Sequence, residues 1–304
     1  MLFKKFFLPS LALLLLSLFV SSVLLIALFF NSDVNWPLWA RVFMPFLISF
    51  ILVALFNKWV GQGIDFGRDL WGQIPKKKVI LFLLLPLLTA ILFQPVWKSL
   101  RYNFGSVLQL SNMKDLKENV NPSFLEVDNW YVDRMRVIPF NYVDEGLNVP
   151  LGKVRVNVLF LVPIFQYEDA YRSFARAWLA FDYTKVIDKE DFNENYGQDF
   201  VKSSMIHFKR MDLRQFQYFE SFPRDDKYRV FTDLQQLHDF YKSGYGNIYL
   251  GQDIDRDELS AYYAKYALFL FAIVGIPGLL ILSLALYLTK KYWYRAEAAY
   301  EVES

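Results

Sequence analysis

Cysteine is absent from this chain, and histidine nearly so, with 2 in 304 residues. Without cysteine there is no disulfide framework, no thiolate nucleophile, no cysteine-ligated zinc or iron–sulfur centre and no attachment point for c-type haem. Charge is scarce as well: Asp, Glu, Lys and Arg make up 21% of the residues, against 55% hydrophobic and 19% aromatic. That balance is too apolar for a disordered chain, and 30 Phe, 19 Tyr and 8 Trp overfill the core of one soluble domain. The chain therefore reads as a membrane protein whose surplus apolar surface faces lipid.

The apolar residues fall into runs. Phe6 to Phe30 carries no charge, follows Lys4 and Lys5, and continues past the length of a signal peptide without a small-residue cleavage site, so it reads as an uncleaved helix. Val42 to Phe56 is short for a span and reaches spanning length by recruiting Leu38 to Arg41, with Arg41 snorkelling to the interface. Trp36, Trp39 and Trp59 fall where an aromatic belt would place them. Val79 to Trp97 follows Lys76, Lys77 and Lys78, and Tyr266 to Thr289 precedes Lys290, Lys291, Trp293 and Arg295; both runs are long enough to span. The expected fold class is a membrane α-helical bundle of four transmembrane helices with one inserted extracytoplasmic α+β domain. On this reading residues 1–97 hold three transmembrane helices at about 6–30, 38–57 and 79–97. Residues 98–262 form the exterior domain, and residues 263–304 hold the fourth helix, about 266–289, and a short cytoplasmic tail.

Orientation follows from Lys and Arg near the helix ends. With the N-terminus in the cytoplasm, Lys4, Lys5, Lys58, Arg68, Lys76, Lys77, Lys78, Lys290, Lys291 and Arg295 lie inside, and Arg41 alone lies in the short outer loop. Both termini are then cytoplasmic and residues 98–262 extracytoplasmic. Residues 98–260 carry 21 Lys and Arg against 25 Asp and Glu, a net of −4, while the rest of the chain is net +6, so the overall +2 conceals two opposite parts. A mildly acidic exterior without a basic patch gives no support to nucleic-acid binding. A cysteine-free exterior and short cytoplasmic segments suit a bacterial inner membrane.

The uncharged runs contain no Asp, Glu, His, Lys or Arg, which leaves no proton relay, no haem ligand and no base for an intramembrane serine nucleophile. Ser10, Ser17, Ser21, Ser22, Ser49 and Ser283 read as helix-packing residues. Pro45, Pro86, Pro95 and Gly275-Ile276-Pro277-Gly278 read as kinks rather than the broken helices of a transporter site. Gly61 to Gly67 has the wrong spacing for a dinucleotide fingerprint and reads as a juxtamembrane turn.

In the exterior domain, strands are expected at Ser106–Leu110, Phe124–Asp133, Val154–Phe165 and Arg176–Thr184, with Ser111 capping a brief helix between the first two. Helices are expected over roughly 190–210 and after a capping box at Thr232 and Gln235, the latter closing at Gly244. Strands first and helices later predict one mixed or antiparallel sheet covered by helices on one face. Asp253 to Tyr262 is read as running into the last membrane helix.

Candidate chemistry is thin. Asp253 to Glu258 fails as a calcium loop, because the sixth and twelfth positions are Glu258 and Ala264 where Gly and Glu are required. His207 and His238 lack the i+4 partner of a helical metal pair. Asp188, Glu190, Asp191 and Glu194 could supply paired acids for hydrolysis, or simply begin a helix with the charge its dipole favours. No cofactor, metal or catalytic residue is assigned. The surplus aromatics offer the main functional hint, because Tyr and Trp favour interfaces, where one end of the ring system stays wet. The candidate interface residues are Trp130, Tyr131, Tyr167, Tyr171, Trp178, Tyr218, Tyr245 and Tyr249, and the alternative is a core built from aromatics. The expected partners are the lipid bilayer and an envelope protein or a second copy of the chain. The expected function is non-catalytic partner binding by the exterior domain, against a membrane-tethered hydrolase or a transport or channel accessory subunit.

Overall fold

The computed structural model describes residues 6–29, 38–60, 76–117, 120, 122–145, 149–165, 175, 177–192, 194–223, 226–237 and 247–288. They form two compact units: the described residues up to Gly105 together with those from Arg256 onward, and the described residues of Ser106–Asp255. Helices and a mixed sheet are both present.

The first unit is helical, with α1 (Leu8–Phe29), α2 (Leu38–Val60) and α3 (Lys76–Phe104). The fourth helix, α6 (Arg256–Leu270), passes through a π-helical turn at Phe271–Gly275 and continues to Leu288. Three of these, at Leu8–Leu28, Leu81–Phe104 and Arg256–Leu288, are long and apolar enough to cross a membrane; the apolar stretch Arg41–Phe56 is shorter. The basic residues flanking these helices at Lys4, Lys5, Arg68, Lys290, Lys291 and Arg295, and the Gly61–Gly67 turn, lie outside the described residues.

Leucines close the interior of this unit. Leu13 and Leu14 from α1, Val53 from α2, Leu85, Leu88 and Leu92 from α3, and Leu279, Leu282 and Leu286 from α6 are buried against one another. Ser10, Ser17, Ser49 and Ser283 are wholly buried among them. Ser17 and Ser283 donate to the carbonyls of Leu13 and Leu279, and Thr89 donates to Ser49 at 3.0 Å between α3 and α2. An interhelical hydrogen bond is worth about 0.6 kcal/mol in a bilayer, so close packing rather than polar contact holds the bundle. The glycines permit that packing: a Cβ on Gly278 would sit 3.2 Å from Leu88, and one on Gly275 3.2 Å from Leu92.

Both α3 and α6 run past their apolar stretches. At that end Ser99 and Ser260 pair at 3.2 Å, Asn103 donates to Ser260, Arg256 donates to the Tyr102 carbonyl at 2.9 Å, and Tyr102 stacks on Tyr263 with centroids 5.8 Å apart. These contacts carry helix on beyond the point where hydropathy stops.

The second unit holds eight strands: β1 (Val107–Asn112), β2 (Phe124–Asn129), β3 (Tyr131–Val132), β4 (Ile138–Asp144), β5 (Lys153–Phe165), β6 (Ala177–Asp188), β7 (Tyr218–Ser221) and β8 (Asn247–Gln252). Among its described residues there are also the helices α4 (Glu194–Arg210) and α5 (Asp226–Leu237). The strand order is β1-β2-β7-β8-β6-β5-β3, with β4 also paired to β5; β1/β2 and β6/β8 are parallel and the other pairs antiparallel.

This order has a geometric consequence. Strands β7, β8, β6 and β5 lie between β2 and β3 in the sheet, yet only Trp130 separates the two in sequence. Consecutive Cα atoms are about 3.8 Å apart, so the sheet must roll until β2 and β3 meet at Trp130. Twist of a fixed hand makes such rolling natural. The inner face carries Leu125, Val158, Phe160, Val162, Ile164, Leu179, Phe181, Phe219 and Tyr249, with Phe208 of α4 packed among them. The outer face carries Leu159, Leu161, Phe165, Trp178, Ala180 and Ile248, covered by Phe231 and Leu234 of α5. Strands buried on both faces read as continuous apolar runs, which is why Val158 to Phe165 does not alternate.

Several expectations need correction. The helices cover both faces of the sheet rather than one, and β7 follows α4 and β8 follows α5 in sequence, so strands do not simply precede helices. Thr232 does not begin a helix. It lies inside α5, its hydroxyl donating to the Tyr228 carbonyl at 2.8 Å, and the expected cap at Gly244 lies outside the described residues. Before the 3-10 turn Met113–Asp115 the capping position is Asn112, not Ser111, and no side chain caps it. Asp188 closes β6 and pairs with Lys153 at 3.4 Å, while Glu190 and Asp191 lie in the turn ahead of α4, so these acids are not in its first turn.

Candidate functional site: a pocket at the seam of the rolled sheet

Where the two ends of the sheet meet there is a pocket of about 440 Å³ lined by Asp128, Trp130, Tyr131, Val132, Arg134, Asp212 and Leu213. Asp128 comes from the end of β2, Tyr131 and Val132 from β3, and Trp130 from the corner between them. Trp130 is half-buried and meets Phe219 edge-on, with centroids 4.8 Å apart, so the corner is anchored to the inner core.

The other wall comes from the end of α4. Arg134 opens the 3-10 turn after β3 and donates to the carbonyls of Lys209, at 2.7 Å, and Met211. A guanidinium placed on the last carbonyls of a helix satisfies acceptors that have no intrahelical donor and complements the negative end of the helix dipole. Asp133 accepts from the Met135 amide at 2.9 Å and pairs with Arg136 at 3.2 Å, which fixes the turn. Leu213 is buried in the inner core, and Met135, next in sequence to Arg134, stands 93% exposed.

The candidate interface residues separate into three groups. Trp130 and Tyr131 line the pocket. Trp178, Tyr218 and Tyr249, at 1%, 3% and 0% exposure, are interior, so these three serve the core rather than an outward-facing patch. Tyr218 packs edge-on against Phe124, and burial pushes the Tyr249 phenol well above its usual range. Tyr167, Tyr171 and Tyr245 lie outside the described residues. The pocket residues that sequence reasoning missed are Asp128, Val132, Arg134, Asp212 and Leu213. Asp212 and Leu213 follow α4 while the others flank β3, and no spacing pattern ties such distant stretches together before the sheet rolls.

Other polar clusters resolve into structural roles. His207 on α4 shares a hydrogen bond with the Tyr183 hydroxyl through Nδ1 at 3.1 Å, and burial raises the Tyr183 phenol; His238 lies outside the described residues. Thr184 donates to Asn157 or Asp182, each at 3.0 Å, with the Lys227 ammonium at 3.3 Å. Lys227 is in turn ion-paired with Asp182. None of Asp188, Glu190, Asp191 and Glu194 lines the pocket. Among the described residues no group of three or more His, Asp or Glu is placed to hold a metal. No protein-family model matches the chain, and no curated protein or solved structure matches it either.

Proposed function

We propose that this chain is a multi-pass protein of a bacterial inner membrane whose Ser106–Asp255 unit lies outside the cytoplasm and binds a partner protein of the envelope, or a second copy of the chain, without catalysis. In this reading α1, α2, α3 and α6 all cross the bilayer and both termini are cytoplasmic. Length supports the fourth span: α2 has 23 residues, which at about 1.5 Å per residue matches a hydrocarbon core of roughly 30 Å. The asymmetry of basic residues supports the orientation, since treating α2 as re-entrant would move Lys76, Lys77 and Lys78 to the outer side.

The observation that supports partner binding is the exposed Met135, next in sequence to Arg134 of a pocket whose lining includes Trp130 and Tyr131. An exposed methionine suits a surface that receives another chain, because its unbranched thioether adapts to the surface it meets. The test replaces Met135 with a photoreactive residue in native membranes. A discrete adduct, with another protein or with a second copy, is the expected result; irradiated protein that stays wholly monomeric counts against the reading.

A further inference from the structure

We propose that β1 is a docking edge for a second copy of this chain, the two β1 strands pairing antiparallel across a two-fold axis into one continuous sheet. The proposal rests on the partner-binding reading and names the partner and the contact.

The argument starts from the backbone. β1 (Val107–Asn112) stands at one end of the sheet and, among the described strands, pairs only with β2. Successive residues of a strand point their N–H and C=O groups to opposite sides, and the Phe124 amide donates to the Ser106 carbonyl at 3.0 Å. Even-numbered residues of β1 therefore face β2, and the main-chain groups of Val107, Gln109 and Ser111 face the open edge. The Ser111 carbonyl, which accepts from Asn129 at 3.3 Å, keeps a second lone pair.

Proteins commonly blunt such an edge with proline or charge. The outer strand against β5, β4, follows that rule, with Pro139 inside it and Asp144 at its end paired to Arg155 at 3.7 Å. β1 reads Val-Leu-Gln-Leu-Ser-Asn, with no proline, no glycine and no charge. Its inner side is also unfinished, because Leu108 and Leu110 pack on the inner core yet are only half-buried. A strand laid beside β1 covers them.

The strand itself selects a second copy as that occupant. Strands that pair across a two-fold axis run antiparallel, and an axis centred on Gln109 sets Val107 against Ser111, and Leu108 against Leu110, of the other copy. This register makes about six main-chain hydrogen bonds and opposes leucine to leucine, with no like charges facing. Glu126, the β2 neighbour of Gln109, stands three strand spacings, about 14 Å, from its counterpart, beyond a screening length of about 8 Å. Only Gly105 and Ser106 separate α3 from β1, so copies inserted in one bilayer carry this edge at a common level.

The experiment uses the full chain, which has no native cysteine, in membrane vesicles under mild oxidation. Gln109→Cys should give a disulfide-linked dimer, because residue 109 meets its counterpart at about 5.5 Å between Cα atoms. Val107→Cys alone and Ser111→Cys alone should give at least about fivefold less, because each lies about 13 Å from its own counterpart. Co-expressed, those two variants should crosslink to each other well above either alone. Gln109→Pro removes an edge N–H that β2 does not use, so it should abolish the Val107→Cys to Ser111→Cys crosslink and leave the melting midpoint unchanged. Equal yields at all three positions mark random collision and overturn the proposal, as does a mixed crosslink that survives Gln109→Pro. Should Gln109→Pro lower the midpoint, the cysteine register alone decides. A Met135 adduct with another protein, beside β1 cysteines that stay uncrosslinked, overturns this proposal and leaves partner binding standing; no adduct at Met135 and no crosslink in β1 overturns both.

Discussion

Phe216 packs against Gly251 of β8, so close that a Cβ there would fall 2.4 Å from two ring carbons. No rotamer change at residue 251 relieves this, because a Cβ is fixed by the backbone. Gly251→Ala should therefore destabilise the second unit by about 1–3 kcal/mol, the range for overpacked cores. A thermal melt would show it as a lowered midpoint, and Phe216→Leu in the same chain should recover part of the loss. Tyr249 gives a pH prediction. Burial raises its folded-state pKa above the ordinary value of about 10. The stability gained from keeping this phenol neutral is fully present below pH ~10 and is lost as pH climbs beyond it. Tyr249→Phe should flatten the fall in stability above pH ~10 and leave the neutral-pH profile little changed, which urea unfolding at pH 7 and pH 11 would reveal. The same residue shows where single-residue reasoning stops. Tyr and Trp serve cores and interfaces alike, so Trp178 and Tyr249 could not be told from Trp130 and Tyr131 until burial separated them.

Among the elements, α6 makes the sharpest prediction. At its π-helical turn the Ile276 amide reaches the Phe271 carbonyl, five residues back, and the wide turn falls just before Pro277, which has no N–H to give. Such a turn is in effect one inserted residue. Deleting Ala272 should restore a regular helix and rotate Arg256–Leu270 by about 100° against the segment that follows. The Gly278 contact with Leu88 and the Ser99–Ser260 pair then could not both survive. Because the chain has no native cysteine, Ser99→Cys with Ser260→Cys should crosslink under oxidation in the full chain and fail to do so after the deletion. Proline and glycine marked this interruption in the sequence, but the π turn depends on where α3 packs. Strand recognition divides similarly. β5 was legible because its residues are either strictly alternating or continuously apolar. β4, interrupted by Pro139, the short β7 and the Gly-containing β8 were not, because each is defined by its neighbours more than by its own pattern.

For the molecule as a whole, the topology has a direct test. Leu151, at the turn into β5 beside Gly152 with its φ of 77°, is fully exposed. A cysteine introduced there should react with a membrane-impermeant maleimide from the outside of intact cells, whereas one at Ser304 should react only after permeabilisation. Labelling in the opposite sense would reverse the proposed orientation. Hydropathy made the long helices legible, since a bilayer demands uncharged runs of a set length. It could not reveal the pocket, since Asp128 and Asp212 become neighbours only when the sheet rolls.

The strand order also dictates the order in which the second unit can become whole. Among the described strands β7 and β8 come last in sequence, yet they join β1 and β2 to β6 and β5. A polypeptide emerging from its N-terminus therefore carries two unjoined fragments of sheet until residue 252 has appeared. The last hydrogen-bonded ladder forms just as α6, beginning at Arg256, follows. Pairings between such distant segments are slow to form, and until they do Leu125 and Phe160 lack the strands between them. A nascent chain halted before Asn247 should therefore be protease-sensitive in pulse proteolysis, which ties the closing of the sheet to the emergence of β8.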